Sequence, residues 1–378
     1  MSEDFKKKLE DYSNGLLSKE ETEEVEKELD KMELYQSYLD SLMGSEEETE
    51  KGPSIEKKLV KKGKWKARLQ NAWTALSLLL LFLIVGWVTS AIFYSWGKPD
   101  RQEIYADAIK AAVETTQPNI RIGSTGMNTG AFTMTYDGEL RKMIGREEET
   151  VDRFKTKFLL GWFSFRLPNG LSDRQQFFYP ENVVNYKITD GFDQLEKLPK
   201  GTVSELYITF TDYMSTDEFL KKMEDKEMMP VWMAADTGRE NERESNPIGP
   251  DEPFGFPYLG YGFQSDFKKV SREEKKGLLV GYSTEISETE SIDSYGDGEK
   301  REAEFLKALH LIEEYQRRTR SLHWQTKEEL KTKVDYIEEN GVRLYGAVVT
   351  GPSKELLKLK EEDWVGSAKI GEKRLWNW

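Results

Sequence analysis

From Leu69 to Gly97 the chain runs for 29 residues without an Asp, Glu, Lys or Arg, although 33% of its 378 residues are charged. No other feature restricts the fold so tightly, because a run this long and apolar has few ways to avoid water. Its central part, Ala72 to Trp96 (AWTALSLLLLFLIVGWVTSAIFYSW), has 25 residues. A helix needs about 20 residues, at about 1.5 Å each, to cross the hydrocarbon of a bilayer. Trp73 lies near one end, with Tyr94 and Trp96 near the other, where aromatic belts meet the interfaces. A signal peptide would have a shorter apolar core placed nearer the N-terminus. A buried core helix would not need basic and aromatic flanks.

The flanks give a direction. Lys57, Lys58, Lys61, Lys62, Lys64, Lys66 and Arg68 precede the run with no acid among residues 57–68. Beyond it, Lys98 and Arg101 are diluted by Asp100, Glu103 and Asp107. The positive-inside bias predicts a cell-membrane protein crossing once, with residues 1–68 cytoplasmic and the C-terminus extracellular. Lys61, Lys62 and Lys64 are expected to lie against anionic lipid headgroups. Four parts follow: a helical domain over residues 1–44, a charged linker and polybasic segment over 45–68, the membrane helix over 69–97, and a body over 98–378 with a subdivision near 195.

Composition narrows the chemistry. The net charge of −14 argues against direct nucleic-acid binding, which needs a basic surface. With no cysteine there is no disulfide, thiolate metal site or thiol nucleophile. His310 and His323 belong to no H-E-x-x-H motif, and no G-x-S-x-G, P-loop or dinucleotide fingerprint occurs. Asp293, Asp297, Gly298 and Glu304 stand at calcium-loop positions, but Tyr295 and Lys300 break that pattern. An acidic turn before a helix is the expectation there. Neither a catalytic residue nor a metal or other cofactor is assigned, and the chain is not read as an enzyme.

The N-terminal part is patterned as two helices. Phe5, Leu9, Tyr12, Leu16 and Leu17 mark the first stripe, and Gly15 is placed to end it in the left-handed conformation. Ser18 and Glu21 form a capping box for the second helix. Val25, Leu29, Met32, Tyr35, Leu39 and Leu42 then recur at spacings of 4, 3, 3, 4 and 3. Eight acids and three lysines lie between Ser18 and Glu33. A hairpin of about 40 residues without staples cannot bury both stripes against itself. Its polar face is acidic, which disfavours the membrane surface. An amphipathic helix filling a partner's groove is the better reading, with a helical spacer or homodimer as the alternative.

The run FKKKLEDYSNGLLSKEETEEVEKELDKMELYQSYLDSL resembles the cytoplasmic domain of membrane anti-sigma factors. Many such domains hold zinc through His-x3-Cys-x2-Cys. Here Glu28, Met32 and Tyr35 stand at that spacing, so the resemblance implies a zinc-less version in which apolar packing replaces the metal.

In the body, Asp137-Gly138 reads as a hairpin turn. Phe158–Phe165, Gln175–Tyr179, Gly201–Phe210 and Val342–Thr350 read as strands. Ser215 caps a helix over EFLKKM, Pro352 starts another over KELLKL, and Arg301–Lys331 is a long helical pattern. Gly238–Pro253 is a polar loop. The fold class expected is α+β: a cytoplasmic helical hairpin, one transmembrane helix, and an extracellular α+β domain with a mixed or antiparallel sheet. Leu159, Leu160, Trp162, Phe163 and Phe165 form an apolar run that fits either a doubly buried strand or a surface beside the bilayer.

LPKGTVSELYITFTDYMSTDEFLKKM, MPVWMAADTG, GFPYLGYG and RLYGAVVTGPSKELLKLKEEDWVGSAKIGEKRLWNW are similar to the sigma-factor-regulator family, typified by the membrane anti-sigma-M factors of Gram-positive rods. The resemblance implies an inhibitor of an extracytoplasmic-function sigma factor that responds to envelope stress, often beside a small second membrane protein. On that reading Leu9, Tyr12, Leu16, Val25, Leu29, Met32, Tyr35, Leu39 and Leu42 bind the sigma factor. The alternative is a membrane-anchored extracellular enzyme or ligand-binding module with an incidental cytoplasmic tail.

Overall fold

A computed structural model describes residues 3–44, 53–163, 165–166, 177–186, 190–238, 249–250, 252–275, 282–288, 291–323 and 325–375. The chain divides into two compact units, Met1–Ser77 and Leu78–Trp378.

The first unit is helical. α1 (Glu3–Ser13) and α2 (Lys19–Gly44) form a hairpin, and α3 starts at Pro53, a residue suited to a first helical turn. α3 continues to Tyr94, so the polybasic segment is itself helical.

In the second unit, α4 (Arg101–Thr116) opens with a full capping box: the Asp100 side chain accepts from Glu103 N, and the Glu103 side chain accepts from Asp100 N. A meander follows, β1 (Arg121–Gly130), β2 (Thr133–Ile144) and β3 (Glu147–Leu159), antiparallel throughout. Asp137-Gly138 is not a turn but the middle of β2, facing Gly126 and Thr125 on β1 and Lys155 and Phe154 on β3. Glycine is needed there because a Cβ would stand 2.9 Å from the Phe154 ring and from Thr125 Cγ2. The turn lies instead at Ala131-Phe132, between the paired Gly130 and Thr133.

Short helices α5 (Pro180–Tyr186) and α6 (Asp190–Glu196) lead to a second sheet. Its strands are β4 (Thr202–Met214), β5 (Met229–Ala235), β6 (Gly255–Pro257), β9 (Leu344–Pro352) and β10 (Val365–Leu375), in the order β10-β4-β9-β5-β6 with every pairing antiparallel. β7 (Lys268–Lys275) and β8 (Tyr282–Glu288) make a separate hairpin. The remaining helices are α7 (Thr216–Met223), α8 (Gly298–Glu314), α9 (Gln316–His323), α10 (Lys327–Asn340) and α11 (Ser353–Leu356). The long pattern at 301–331 is therefore three helices, interrupted at Tyr315 and re-initiated by a Thr326–Glu329 capping box. Pro352 sits at the cap of α11 rather than in its first turn. Residues 177–179 carry no strand, Gln175 and Gln176 lie outside the described residues, and so does most of the 238–253 loop.

β4 is buried from Thr202 to Phe210 without alternation because the sheet is covered on both faces. Leu206, Ile208 and Phe210 join the main core with α4 and α8 residues such as Ile109 and Phe305. Tyr207 points the other way, into a smaller cluster with Phe177, Trp232, Tyr345 and Val348. Fully burying one such aliphatic or aromatic side chain stabilises the fold by about 2 kcal/mol.

Buried polar groups tie the layers together. Asp107, 1% exposed on α4, accepts from the backbone N–H groups of Gln264 (2.7 Å) and Ser265 (3.0 Å), while burial holds its carboxyl above the usual range. In the acidic turn before α8, the Arg301 guanidinium takes the carbonyls of Asp293, Ser294 and Tyr258. Glu205 of β4 is wholly buried. Its Oε1 accepts from Asn119 Nδ2 (2.8 Å), and its Oε2 meets Lys142 Nζ (2.7 Å) and accepts from Glu372 N (3.1 Å).

His323 gives the second unit a pH dependence. Its ring is fully buried, Nδ1 accepts from Gln325 N (3.2 Å), and the proton therefore sits on Nε2, facing Thr319 Oγ1 at 3.2 Å. Burial, with Arg320 adding repulsion, pushes the imidazole down to about 4. The unfolded chain takes up this proton near pH 6.5, so the stabilisation is whole above that pH and declines as pH falls towards 4. The loss comes to about 3 kcal/mol. His323→Gln is expected to remove this part of the slope in urea unfolding followed by tryptophan fluorescence from pH 4 to 7. An unchanged slope would show that His323 is not its source.

Candidate functional site

The N-terminal hairpin is built from its turn outward. Gly15 adopts φ +67°, with Gly15 N donating to Tyr12 O (3.1 Å) and Leu16 N to Asp11 O (2.9 Å), which satisfies the last carbonyls of α1. Ser18 then caps α2. Its Oγ accepts from Glu21 N (3.4 Å), and Glu21 Oε2 accepts from Ser18 N (3.0 Å). Those bonds from Ser18 hold the Glu21 carboxyl below its usual range, and the acid sits where the helix dipole favours it. Across the hairpin, Tyr12 Oη donates to Glu26 Oε1 (3.1 Å), and Lys8 Nζ stands 3.4 Å from Glu24 Oε2. These exposed contacts set register more than stability.

The apolar residues separate into two groups. Leu9 and Tyr12 on α1 and Leu29 on α2 are half-buried, and Val25 is buried to 2% exposure. Further along α2, Met32, Tyr35 and Leu39 are exposed, as is Leu16 at the turn. The structure does not bring this second group into packing. Among the described residues, Met32 and Tyr35 therefore do not fill the place of a metal by packing, because α1 (Glu3–Ser13) is too short to reach along α2. Glu28 is exposed as well. Among the described residues no three His, Cys, Asp or Glu gather to hold a metal. The side chain of Leu42 lies outside the described residues.

Two residues escaped the single-stripe reading. Leu34 and Tyr38 are 74% and 60% exposed and stand one turn apart. At about 100° per residue, Leu34, Tyr38, Tyr35, Leu39 and Met32 spread over about 160° of α2. Their i, i+4 spacing was visible, but it lies about 140–180° around α2 from Val25, on the far side from the stripe that runs through it. The distal half of α2 thus offers a broad apolar surface beyond an acidic first half.

α3 contains one stretch, Lys61–Tyr94, long and apolar enough to cross a membrane; its most apolar 18-residue window has mean hydropathy 2.4. Thr74, Ser77 and Thr89 return their hydroxyl protons to the carbonyls of Gln70, Trp73 and Val85 (3.0, 2.8 and 2.8 Å), so all three are satisfied within α3 itself, as a membrane span requires. Lys61, Lys62, Lys64, Trp73 and Trp96 are exposed. Tyr94 is not. It is 1% exposed, because Gly86, Ser90 and Tyr94 form one buried face at four-residue spacing, packed against the body. Tyr94 belongs to the protein core and not to the aromatic belt.

Residues 57–149 match the sigma factor regulator N-terminal family, and residues 195–372 match the sigma factor regulator C-terminal family. Along its whole length the chain is 27% identical, over 388 aligned positions, to a probable anti-sigma-M factor, YhdL, of Bacillus subtilis (strain 168), and the match covers 100% of both proteins. The chain belongs to the sigma factor regulator family of anti-sigma factors. No solved structure matches this regulator. The two family matches cover most of α3 and two stretches of the body, residues 98–149 and 195–372, while the α1–α2 hairpin precedes them both. That family is one of regulators rather than enzymes.

Proposed function

We propose that this regulator is a single-pass membrane protein that sequesters an extracytoplasmic-function sigma factor through α1 and α2 and releases it under envelope stress. The observation that carries the reading is the exposed surface of Met32, Tyr35 and Leu39, flanked by Leu34 and Tyr38, on a helix that its own hairpin leaves uncovered. The name of the relative, a probable anti-sigma-M factor, supports a sigma factor as the partner. An apolar face of this kind fills a groove, and the acids between Glu20 and Glu33 suit a basic rim on a protein that otherwise meets DNA and RNA polymerase.

Lys57 to Arg68 favours the cytoplasm for the hairpin and the far side of the membrane for the body. Any signal sensed outside acts only through its differential affinity for the sigma-bound and free states. Co-expression of the full-length regulator, affinity-tagged, with each candidate sigma factor tests the reading. One sigma factor is expected to co-purify from detergent-solubilised membranes. Recovery of none of them would remove the proposed partner class.

A further inference from the structure

The body meets α3 well before that helix ends. Phe132 N donates to Gly86 O (3.0 Å), and the Phe82 and Phe132 rings stand 5.1 Å apart. Gly86 admits this contact, since a Cβ there would lie 2.6 Å from the Phe132 ring. Gly86 is eight residues before Tyr94, about 12 Å along the helix axis. Counted from Leu69, a span of about 20 residues ends near Val88. The β1–β2 tip therefore lies level with the edge of the hydrocarbon, not above the headgroups.

The composition of that end of the meander agrees. Ile122 to Tyr136 and Phe158 to Phe165 contain no charged residue, whereas the opposite turn carries Arg146, Glu147, Glu148 and Glu149. Leu159 pairs with Thr133 beside the tip and bridges to Trp162. Leu159 and Trp162 are 57% and 80% exposed, and Trp87 and Trp96 near the end of α3 are exposed as well. Two bulky residues in these turns, Phe132 (φ +57°) and Leu160 (φ +44°), hold left-handed backbone that such side chains rarely adopt. There is no slack that would let the body swing away: Arg101, the first residue of α4, donates from Nη1 to Phe93 O (2.9 Å) at the end of α3 and stacks on the Phe93 ring.

We propose that the β1–β2 tip, Gly130–Thr133, and the turn Leu159–Trp162 are seated in the lipid of the leaflet next to the body, as a second membrane contact beside α3. The occupant of this apolar end is the bilayer, because the surface is continuous with the membrane helix and loses its charge only where it reaches the lipid edge. The body then reads the bilayer surface directly instead of hanging from a tether. The proposal rests on α3 being the membrane span.

The chain lacks cysteine, so single-cysteine variants can be spin-labelled without background. Leu159→Cys and Trp162→Cys replace exposed side chains and leave the core intact. Leu79→Cys in α3 and Lys331→Cys on α10 serve as lipid and water references. The full-length protein alone is placed in phosphatidylethanolamine–phosphatidylglycerol vesicles, and collisions of each label with oxygen and with a nickel chelate are compared. Labels at 159 and 162 are expected to favour oxygen, as at 79, and the label at 331 to favour nickel. If 79 reads lipid while 159 and 162 read water, the second contact is overturned, including the case in which a partner protein covers this surface in the cell. If 79 also reads water, the membrane span fails with it.

Discussion

Leu39→Asp is expected to free the sigma factor and raise transcription from its promoters while leaving the regulator in the membrane. Leu39 is 51% exposed, so the substitution costs the free hairpin little. In a groove, however, the carboxylate would be stripped of water without a partner. Such a loss is worth about 3 kcal/mol, or roughly a hundredfold weaker capture. Leu29→Asp should act in the same direction, with some loss of hairpin stability because Leu29 is half-buried. A substitution at the buried Val25 would mainly unfold the hairpin, so it cannot report on the partner. The measurement is a promoter reporter combined with membrane fractionation. Unchanged reporter output in both Leu29→Asp and Leu39→Asp would mean that this face of α2 is not the binding surface.

Glu205→Ala is expected to cost the body about 3–5 kcal/mol, the usual result of removing one partner from a buried ion pair. Its carboxylate is fully buried and connects four parts of the fold: Asn119 before β1, Lys142 of β2, its own strand β4, and the Glu372 backbone of β10. Without it, Lys142, whose side chain is only 11% exposed, keeps the Glu372 carboxylate, 3.6 Å away, as its ion-pair partner among the described residues. The double variant Glu205→Leu/Lys142→Leu should recover most of the loss, since no buried charge is then left alone. Urea unfolding of the detergent-solubilised protein reads both effects. Equal stability of Glu205→Ala and the unaltered protein would show that the ion pair does not join the two sheets.

The legibility of the chain follows the range of the forces involved. Local chemistry was plain in the sequence: the caps at Ser18 and Ser215, the Gly15 turn, the strands read over Gly201–Phe210 and Val342–Thr350, which form as Thr202–Met214 and Leu344–Pro352, and the apolar run of α3. Each is decided by neighbours a few residues away, so composition and spacing suffice. Asp137-Gly138 misled because its glycine answers to Phe154 and Thr125, which are distant in sequence and close only across the meander.

The sequence by itself determined that an acidic, cysteine-free chain would carry a small helical head, one helix apolar enough to cross a membrane and an α+β body with a mixed or antiparallel sheet, because charge and apolar periodicity are one-dimensional properties. That every pairing is antiparallel came from the structure. Only the tertiary structure decided which apolar residues have partners. It buried Val25 and left Met32, Tyr35 and Leu39 open, it moved Tyr94 from the lipid belt into the core, and it brought the β1–β2 tip down to Gly86. Burial depends on what the rest of the chain places against a side chain, and no count along the sequence contains that.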